Sequence, residues 1–339
     1  MPTYHAPGRV TVIGEHTDHA DGLALAMAID RGITLEVTPV GDRHRLSSRG
    51  FDDIDLPLDA EPDAGWGRYV AAVSAQLREA DVEVHGLSGH AVSDLPAGAG
   101  LSSSGALEVA TAMALLDAAD RTLTDEALIR VCRDAEERAV GVPCGPLDQA
   151  TIVWGRRGRS VLLSFADLGH ELIDWPTDLS LVVVHSGIAR RLEDTAYATR
   201  KAELLAGLAG DDDPVANRRV RHLHSENERV RRVVELLGRP HPDRWAIGEV
   251  LLAGHASLRD DFEVSTPELD RLVELAVEHG AYGARLTGAG FGGAMVALAD
   301  TDAAEELGAR IVHGYEGDGQ AWAVRPADGA RRIDAGRKP

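Results

Sequence analysis

The sequence predicts an α+β protein of two domains. Three observations carry that expectation: the chain opens with strand-like alternation, helical periodicity fills much of the rest, and 339 residues are more than one core usually organises. Residues 8–13, "GRVTVI", alternate with period two, and "GITLEVTPV" from Gly32 repeats β-branched residues, so the chain begins with strands. "RYVAAVSAQLRE" from Arg68 reads as an amphipathic helix, and "SGALEVATAMALLDAAD" is apolar on most of its circumference, as a buried helix is. "TDEALIRVCRDAEERAV" follows, with Thr124 or Asp125 as its N-cap. "SVLLSF" and "SLVVVH" are strand candidates separated by Trp175-Pro176, which divides the chain into residues 1–176 and 177–339. After Arg190, Arg- and Glu-rich amphipathic segments run to about Gly238, interrupted by a "GDDDP" turn, and two more helices precede "GARLTGAGFGGAMVALAD". No fixed-period repeat or low-complexity tract is present.

Charge narrows the partners. A formal net charge of −20 repels nucleic acid and anionic membranes, which are bound through basic patches, so a small ligand is favoured. The chain opens "MPTYHAPGRV" without a basic leader and apolar run, and no segment approaches the roughly 20 apolar residues of a membrane span. The expectation is a cytoplasmic protein, monomeric or weakly homo-oligomeric. Cys132 and Cys144 stand apart from any Cys/His cluster at metal spacing, which argues against a disulfide framework, a structural zinc site and redox chemistry.

"LPAGAGLSSSGALEVA", residues 95–110, sets small residues and hydroxyls where a helix begins. One serine suffices to cap a helix. Gly98 and Gly100 would further let backbone approach a ligand, and a helix N-terminus offers aligned N–H donors to an anion, so a phosphate site is the sharper reading. The only lysines are Lys201 and Lys338, and "GAGLSSSG" has none, which excludes a Walker-type loop. The glycine spacing does not fit a dinucleotide fingerprint either. Gly288, Gly290, Gly292 and Gly293 form a second glycine-rich stretch, readable as a bulged hairpin or as a loop packed against the first. In "GRVTVIGEHTDHADG", the turn after the first strand carries Glu15, His16, Asp18, His19 and Asp21, a set that suits a solvated loop or a binding site but matches no standard metal template. Asp148 follows a Pro-Gly-Pro bend in "VPCGPLDQA", where an Asp usually caps a helix.

Together, "APGRVTVIGEHTDHADG", "LPAGAGLSSSGALEVA", "VPCGPLDQ" and "RLTGAGFGGAMVAL" resemble, in order and approximate separation, the motifs of galactokinases within the GHMP small-molecule kinase superfamily. The resemblance spans nearly the whole chain and implies the two-domain GHMP kinase fold, with the active site in the interdomain cleft and ATP and Mg²⁺ as cofactors. It implies that residues 98–104, with Gly98, Gly100, Ser102, Ser103 and Ser104, wrap the ATP phosphates, and that Ser104 and Glu136 coordinate Mg²⁺. Asp148 would sit beside the anomeric hydroxyl of a sugar, and Arg9 beside both Asp148 and the transferring phosphate. Glu15, His16, Asp18, the Gly145 backbone and Tyr197 would contact sugar hydroxyls, and Trp66 falls where similar proteins place an aromatic near adenine.

These residue types suit the chemistry. Phosphoryl transfer needs in-line placement and neutralised charge, which a permanently charged, planar guanidinium supplies, and a carboxylate can accept the hydroxyl proton. Carboxylates and an imidazole can each hold neighbouring hydroxyls, so a sugar epimer leaves a buried group unpaired. Several positions depart from the family's usual residues: Thr11 stands for Asn, His19 for Tyr, Ala20-Asp21 for an Asn-containing turn, Gly105 for Ala and Ala289 for Gly. The expected activity is ATP-dependent phosphorylation of galactose at its anomeric hydroxyl. The alternatives are another sugar phosphorylated at C1 (an N-acetylhexosamine, a uronic acid or a pentose) and a non-catalytic sugar and ATP sensor.

Overall fold

A computed structural model describes residues 1–96, 99–188 and 194–333. The chain opens with two long antiparallel strands, β1 (Thr3–Ile13) and β2 (Leu23–Val40). Only the second half of β2 alternates between buried and exposed residues. Its first half, "LALAMAI", is buried almost throughout, which is why period-two alternation finds the strand only from Gly32. The β1–β2 register shifts between Pro7 and Arg9. The bulge seats Gly8 against the segment before the serine-rich helix, where a Cβ would stand 2.6 Å from the Leu101 carbonyl oxygen.

There follow β3 (Arg43–Ser48), β4 (Ile54–Pro57), helix α1 (Gly67–Glu79) and β5 (Gly86–Ser93), then helices α2 (Ser103–Ala118), α3 (Asp125–Val140) and α4 (Leu147–Trp154). Strands β6 (Arg159–Ser164) and β7 (His170–Asp174) complete this half. Thr124 caps α3 through the Ala127 N–H, and Gly141 closes the helix in the left-handed region at φ 76°. Helix α2 is buried on nearly every side, as its composition requires.

The remainder comprises β8 (Leu179–His185), α5 (Asp194–Leu208), α6 (Pro214–Leu237), α7 (Arg244–Asp260), α8 (Pro267–Glu278), β9 (Gly283–Thr287), β10 (Ala294–Asp300), α9 (Ala304–Gly314), β11 (Gln320–Val324) and β12 (Arg331–Ile333). Asp213 with Pro214 starts α6, and Thr266 with Pro267 starts α8, each pairing a side-chain cap with the pre-set φ of proline. Among the described strands, one sheet runs β12-β1-β2-β5-β3-β4, with β6 also on β2 and β7 on β6, and a second runs β11-β8-β10-β9. A cut near residue 176 thus separates the two sheets except for β12, which returns to pair with β1. No helix of the described residues is long and apolar enough to cross a membrane, and both cysteines are free.

Helix α7 lies directly on β9. A Cβ on Gly248 would overlap the Tyr282 carbonyl, so only glycine allows that approach. Gly248→Ala is expected to lower unfolding stability by about 1–3 kcal/mol, as overpacking does. A urea midpoint equal to that of the unmodified protein would show that the two elements can separate freely.

Candidate active site

Arg9 leaves β1 just beyond the bulge and is almost wholly buried. Its backbone N–H donates to the Leu101 carbonyl at 3.1 Å, its NH1 to the Gly100 carbonyl at 2.7 Å, and its Nε to Asp148 Oδ1 at 2.6 Å. Its NH2 forms a further close ion pair with the same oxygen. The other Asp148 oxygen accepts the Ser102 hydroxyl. One guanidinium therefore joins strand β1, the glycine-serine turn and the first turn of α4.

That arrangement corrects the capping expectations. Ser102 sits in the left-handed region at φ 57°, aimed at Asp148, and α2 has no side-chain cap. Asp148 does not cap α4 either, because both of its oxygens are engaged by Arg9 and Ser102. Among the described residues no side chain caps the first-turn N–H groups of α2, which suits them to an anion beside the Arg9 guanidinium. Ser103, the first residue of α2, is exposed there, whereas Gly98 lies outside the described residues.

In the first turn of α2, the Ser104 hydroxyl donates to Glu136 Oε1 at 2.8 Å. Gln149 Nε2 donates to the other Glu136 oxygen at 2.7 Å and to Glu108 Oε2 at 3.0 Å. Burial raises the pKa of Glu136, and the neighbouring Asp148 charge raises it further. Glu108 is pushed well above the carboxylate range by burial and then by Glu136, and its buried Oε1 has no hydrogen-bond partner among the described residues. Gly105 gives α2 room beside α4, since a Cβ would stand 3.2 Å from Ile152 Cδ1 and 3.5 Å from Asp148 Cβ. The departure from Ala at this position is accommodated in that contact.

The turn between β1 and β2 is far from a solvated loop. Glu15 and His16 are buried, Asp18 and His19 are half-buried in a single 3₁₀ turn (Asp18–Ala20), and Asp21 is exposed. The His16 ring stacks on Phe262 at 4.5 Å and lies 5.8 Å from the Tyr197 ring, which meets the His19 ring edge-on at 5.3 Å. Asp18 closes on Gly145, where any side chain would collide with its carboxylate. His16 and His19 each present a buried Nε2 without a hydrogen-bond partner among the described residues. Burial drives both imidazoles toward the neutral form, with His19 lowering His16 further and Asp18 working the other way on His19. The structure thus brings together His16, Asp18, His19, Gly145 and Tyr197.

Glu15 faces elsewhere. Its Oε2 pairs with Arg285 at 2.5 Å and its Oε1 accepts the Gly288 N–H at 3.4 Å. Burial lifts its pKa to about 7, against the pull of Arg285. Trp66 stands at the start of α1 with its indole N–H on the Asp52 carbonyl at 2.7 Å, and none of the hydrogen bonds around Arg9 includes it. Thr11 is buried, and its carbonyl accepts the Thr287 hydroxyl at 3.0 Å. The second glycine-rich stretch is the connection between antiparallel β9 and β10, with all four glycines and Phe291 at positive φ.

Sequence reasoning missed Arg285, Glu226, His222, Gln149 and Glu108. A signal existed for two of them: Arg219, His222 and Glu226 fall in phase with the buried Leu223, Val230 and Val233 of α6, so charge lies on the stripe that should be apolar.

The model described as GHMP kinases N terminal domain matches residues 68–156, GHMP kinases C terminal matches 226–316, and the Galactokinase galactose-binding signature matches 3–39. A galactokinase of Thermococcus kodakarensis is 36% identical over 346 residues, covering 96% of this chain and 98% of that one. The chain belongs to the galactokinase family. A Streptomyces coelicolor galactokinase is 37% identical over 97% of this chain and 93% of its own. The crystal structure of Lactococcus lactis galactokinase complexed with galactose is 28% identical, with a TM-score of 0.90 over 98% of this chain and 95% of that one. The Methanococcus jannaschii mevalonate kinase shares the fold, with a TM-score of 0.73 over 96% of this chain and 98% of that one at 19% identity. The family's galactose-binding signature covers Arg9 and the whole turn from Gly14 to Gly22, and its C-terminal model begins at Glu226.

His222 bonds the Glu15 carbonyl through Nε2 at 3.1 Å, and burial lowers its pKa to about 4. Its folded value lies below the ordinary 6.5, so its linkage costs nothing above that pH and destabilises progressively as pH falls from about 6.5 toward about 4. The His222 imidazole is expected to stay neutral by NMR down to about pH 5. A titration midpoint near 6.5 would contradict its burial beneath the turn.

Proposed function

We propose that this chain transfers the γ-phosphoryl group of ATP to the anomeric hydroxyl of galactose, giving galactose 1-phosphate. The observation that carries the reading is the Arg9–Asp148 pair. It stands between the uncapped N-terminus of α2, suited to phosphate, and the turn bearing His16 and Asp18, suited to a polyol. The family and the likeness to a galactokinase complexed with galactose support it.

In this reading the γ-phosphoryl group lies at the Arg9 guanidinium, which offsets charge on its equatorial oxygens during transfer. The sugar's C1 hydroxyl approaches the Asp148 carboxylate, which orients it and receives its proton as the O–P bond forms. Ser102 fixes the second Asp148 oxygen, so the carboxylate has little freedom to turn away. Asp18, His16, His19, Tyr197 and the Gly145 backbone bind the remaining hydroxyls, and two unpartnered imidazole nitrogens supply polar sites that a correctly configured sugar would satisfy. We assign ATP phosphates to the turn at residues 98–104 and adenine to the neighbourhood of Trp66.

Mg²⁺ fits the residues present. Among the described residues no group of three or more His, Cys, Asp or Glu could hold a metal alone. Ser104 and Glu136 nevertheless provide two hard oxygens 2.8 Å apart, to which phosphate oxygens and water can be added, and a cation there offsets the burial that raises Glu136. When bound, the ion neutralises phosphate charge and orients the phosphate chain. We divide the chain near residue 176, with the cleft between the two sheets as the active site, and assign it to the cytoplasm, where ATP is at hand.

An ADP-release assay over free sugars tests the reading. Galactose should turn over far faster than its C4 epimer glucose, and Asp148→Asn should lower kcat by about 10² or more with galactose binding largely kept. Galactose inert beside an active uronic acid, pentose or N-acetylhexosamine would move the substrate, whereas binding without turnover of any sugar would make the chain a sensor. For the metal, Ser104→Ala and Glu136→Gln should each raise the Mg²⁺ concentration for half-maximal rate by roughly tenfold or more. Unchanged titrations in both variants would remove the pair from the metal site.

A further inference from the structure

Both ends of the turn that reads the sugar are bonded to consecutive residues of one helix in the other half of the chain. Glu226 Oε1 on α6 accepts the Gly14 N–H at 2.8 Å, and Asn227 Oδ1 accepts the Leu23 N–H at 2.8 Å. One turn earlier, His222 reaches the Glu15 carbonyl at 3.1 Å. That carbonyl only accepts, so the ring carries its proton on Nε2, and Nδ1 lies 2.9 Å from the Ser257 hydroxyl oxygen.

The helix is in turn tied to the turn by charge. Arg285 NH2, on β9, bridges Glu15 Oε2 at 2.5 Å and Glu226 Oε1 at 2.6 Å, while Arg229 Nε takes the second Glu226 oxygen at 2.8 Å. Arg285, Glu15 and Glu226 are fully or almost fully buried. Among the described residues the buried Nε and NH1 of Arg285 have no hydrogen-bond partner, and only a glycine at position 254 leaves room for NH1. Such a cluster is a poor source of stability, because desolvation cancels most of the attraction, but it admits very few geometries.

We propose that Glu226, Asn227 and Arg285, with His222, form a clamp that positions the turn from Gly14 to Leu23, and are therefore positioning residues for galactose rather than for ATP. The proposal rests on the galactose reading above and names the residues by which the C-terminal half sets sugar affinity. None of the clamp contacts Arg9, Asp148 or the α2 N-terminus through the bonds described. A displacement of about 1 Å at Gly14 and Glu15 is carried directly to His16 and Asp18, and errors of that size cost up to about 10² in reactions that depend on orientation.

Steady-state kinetics and hydrogen exchange of the full chain test this. Glu226→Gln keeps an oxygen for the Gly14 N–H and removes the charge facing Arg285; Asn227→Ala releases the other end and disturbs no ion pair. In both, KM for galactose should rise by about tenfold for Glu226→Gln and about threefold for Asn227→Ala, with KM for ATP within about twofold of the unmodified protein. Amides of residues 14–23 should exchange faster, while those of α2 keep their protection. KM values for both substrates moving together, neither moving, or protection lost evenly along the chain would overturn the clamp and leave the cluster as packing. Should the unmodified protein fail to turn over galactose, the galactose reading falls by itself and the exchange pattern, which needs no sugar, still decides the clamp. Should Glu226→Gln not fold, Asn227→Ala decides it alone.

Discussion

Arg9 is the residue on which the site's architecture depends, because one side chain ties together three parts of the chain that lie far apart in sequence. Its backbone and NH1 hold the Gly100-Leu101 turn, and its Nε and NH2 hold Asp148 at the start of α4. The β1 bulge at Gly8 is what permits this, since a side chain there would push the turn away. Lysine could not replace it: a single ammonium has no planar fork with which to face a carbonyl and a carboxylate at fixed angles. The same guanidinium sits beside the helix end, on the Gly100 carbonyl, so the constraint that builds the site also supplies positive charge there.

Carboxylates on the two sides of this centre have distinct fates, decided by their neighbours. Glu108 on α2 and Glu136 on α3 meet around one amide, Gln149, and burial raises both. Glu15 and Glu226 share one guanidinium. Burial dominates at Glu15 and lifts it to about 7, whereas at Glu226 burial is overcome by Arg285, His222 and Arg229, which bring it down to about 2. Glu15, Glu108 and Glu226 are buried in a chain of net charge −20, and at Glu15 and Glu226 the partner is a guanidinium, consistent with the scarcity of lysine.

Much of this was legible in the sequence, for identifiable reasons. Alternation in "GRVTVI", the cap at Thr124 and the "GDDDP" turn that interrupts the helical segments before α6 are local signals, and each feature appears where its signal lies. The first half of β2 was not legible because a strand buried on both faces loses its alternation. The serines show the limit of local chemistry: a Ser at a helix start is read as a cap, yet Ser102 turns to an Asp that is 46 residues away in sequence and that only the fold brings near. Glu226 and Arg285 were missed for the same reason, since neither stands in a motif that names its partner, although charge on the buried stripe of α6 was visible. His19 was visible as a departure, but its edge-on contact with Tyr197 depends on the packing of α5 against the turn.

In the proposed reaction a phosphate donor and a sugar meet at Arg9 and Asp148. The most direct measurement is a crystal structure of the chain with galactose and a non-hydrolysable ATP analogue. The account predicts the anomeric oxygen within hydrogen-bonding reach of the Asp148 carboxylate, the terminal phosphate on the Arg9 guanidinium and the α2 N-terminus, and the other sugar hydroxyls on Asp18, His16 and the Gly145 backbone. Galactose bound with C1 turned away from Asp148, or nucleotide phosphates bound away from residues 99–104, would contradict it.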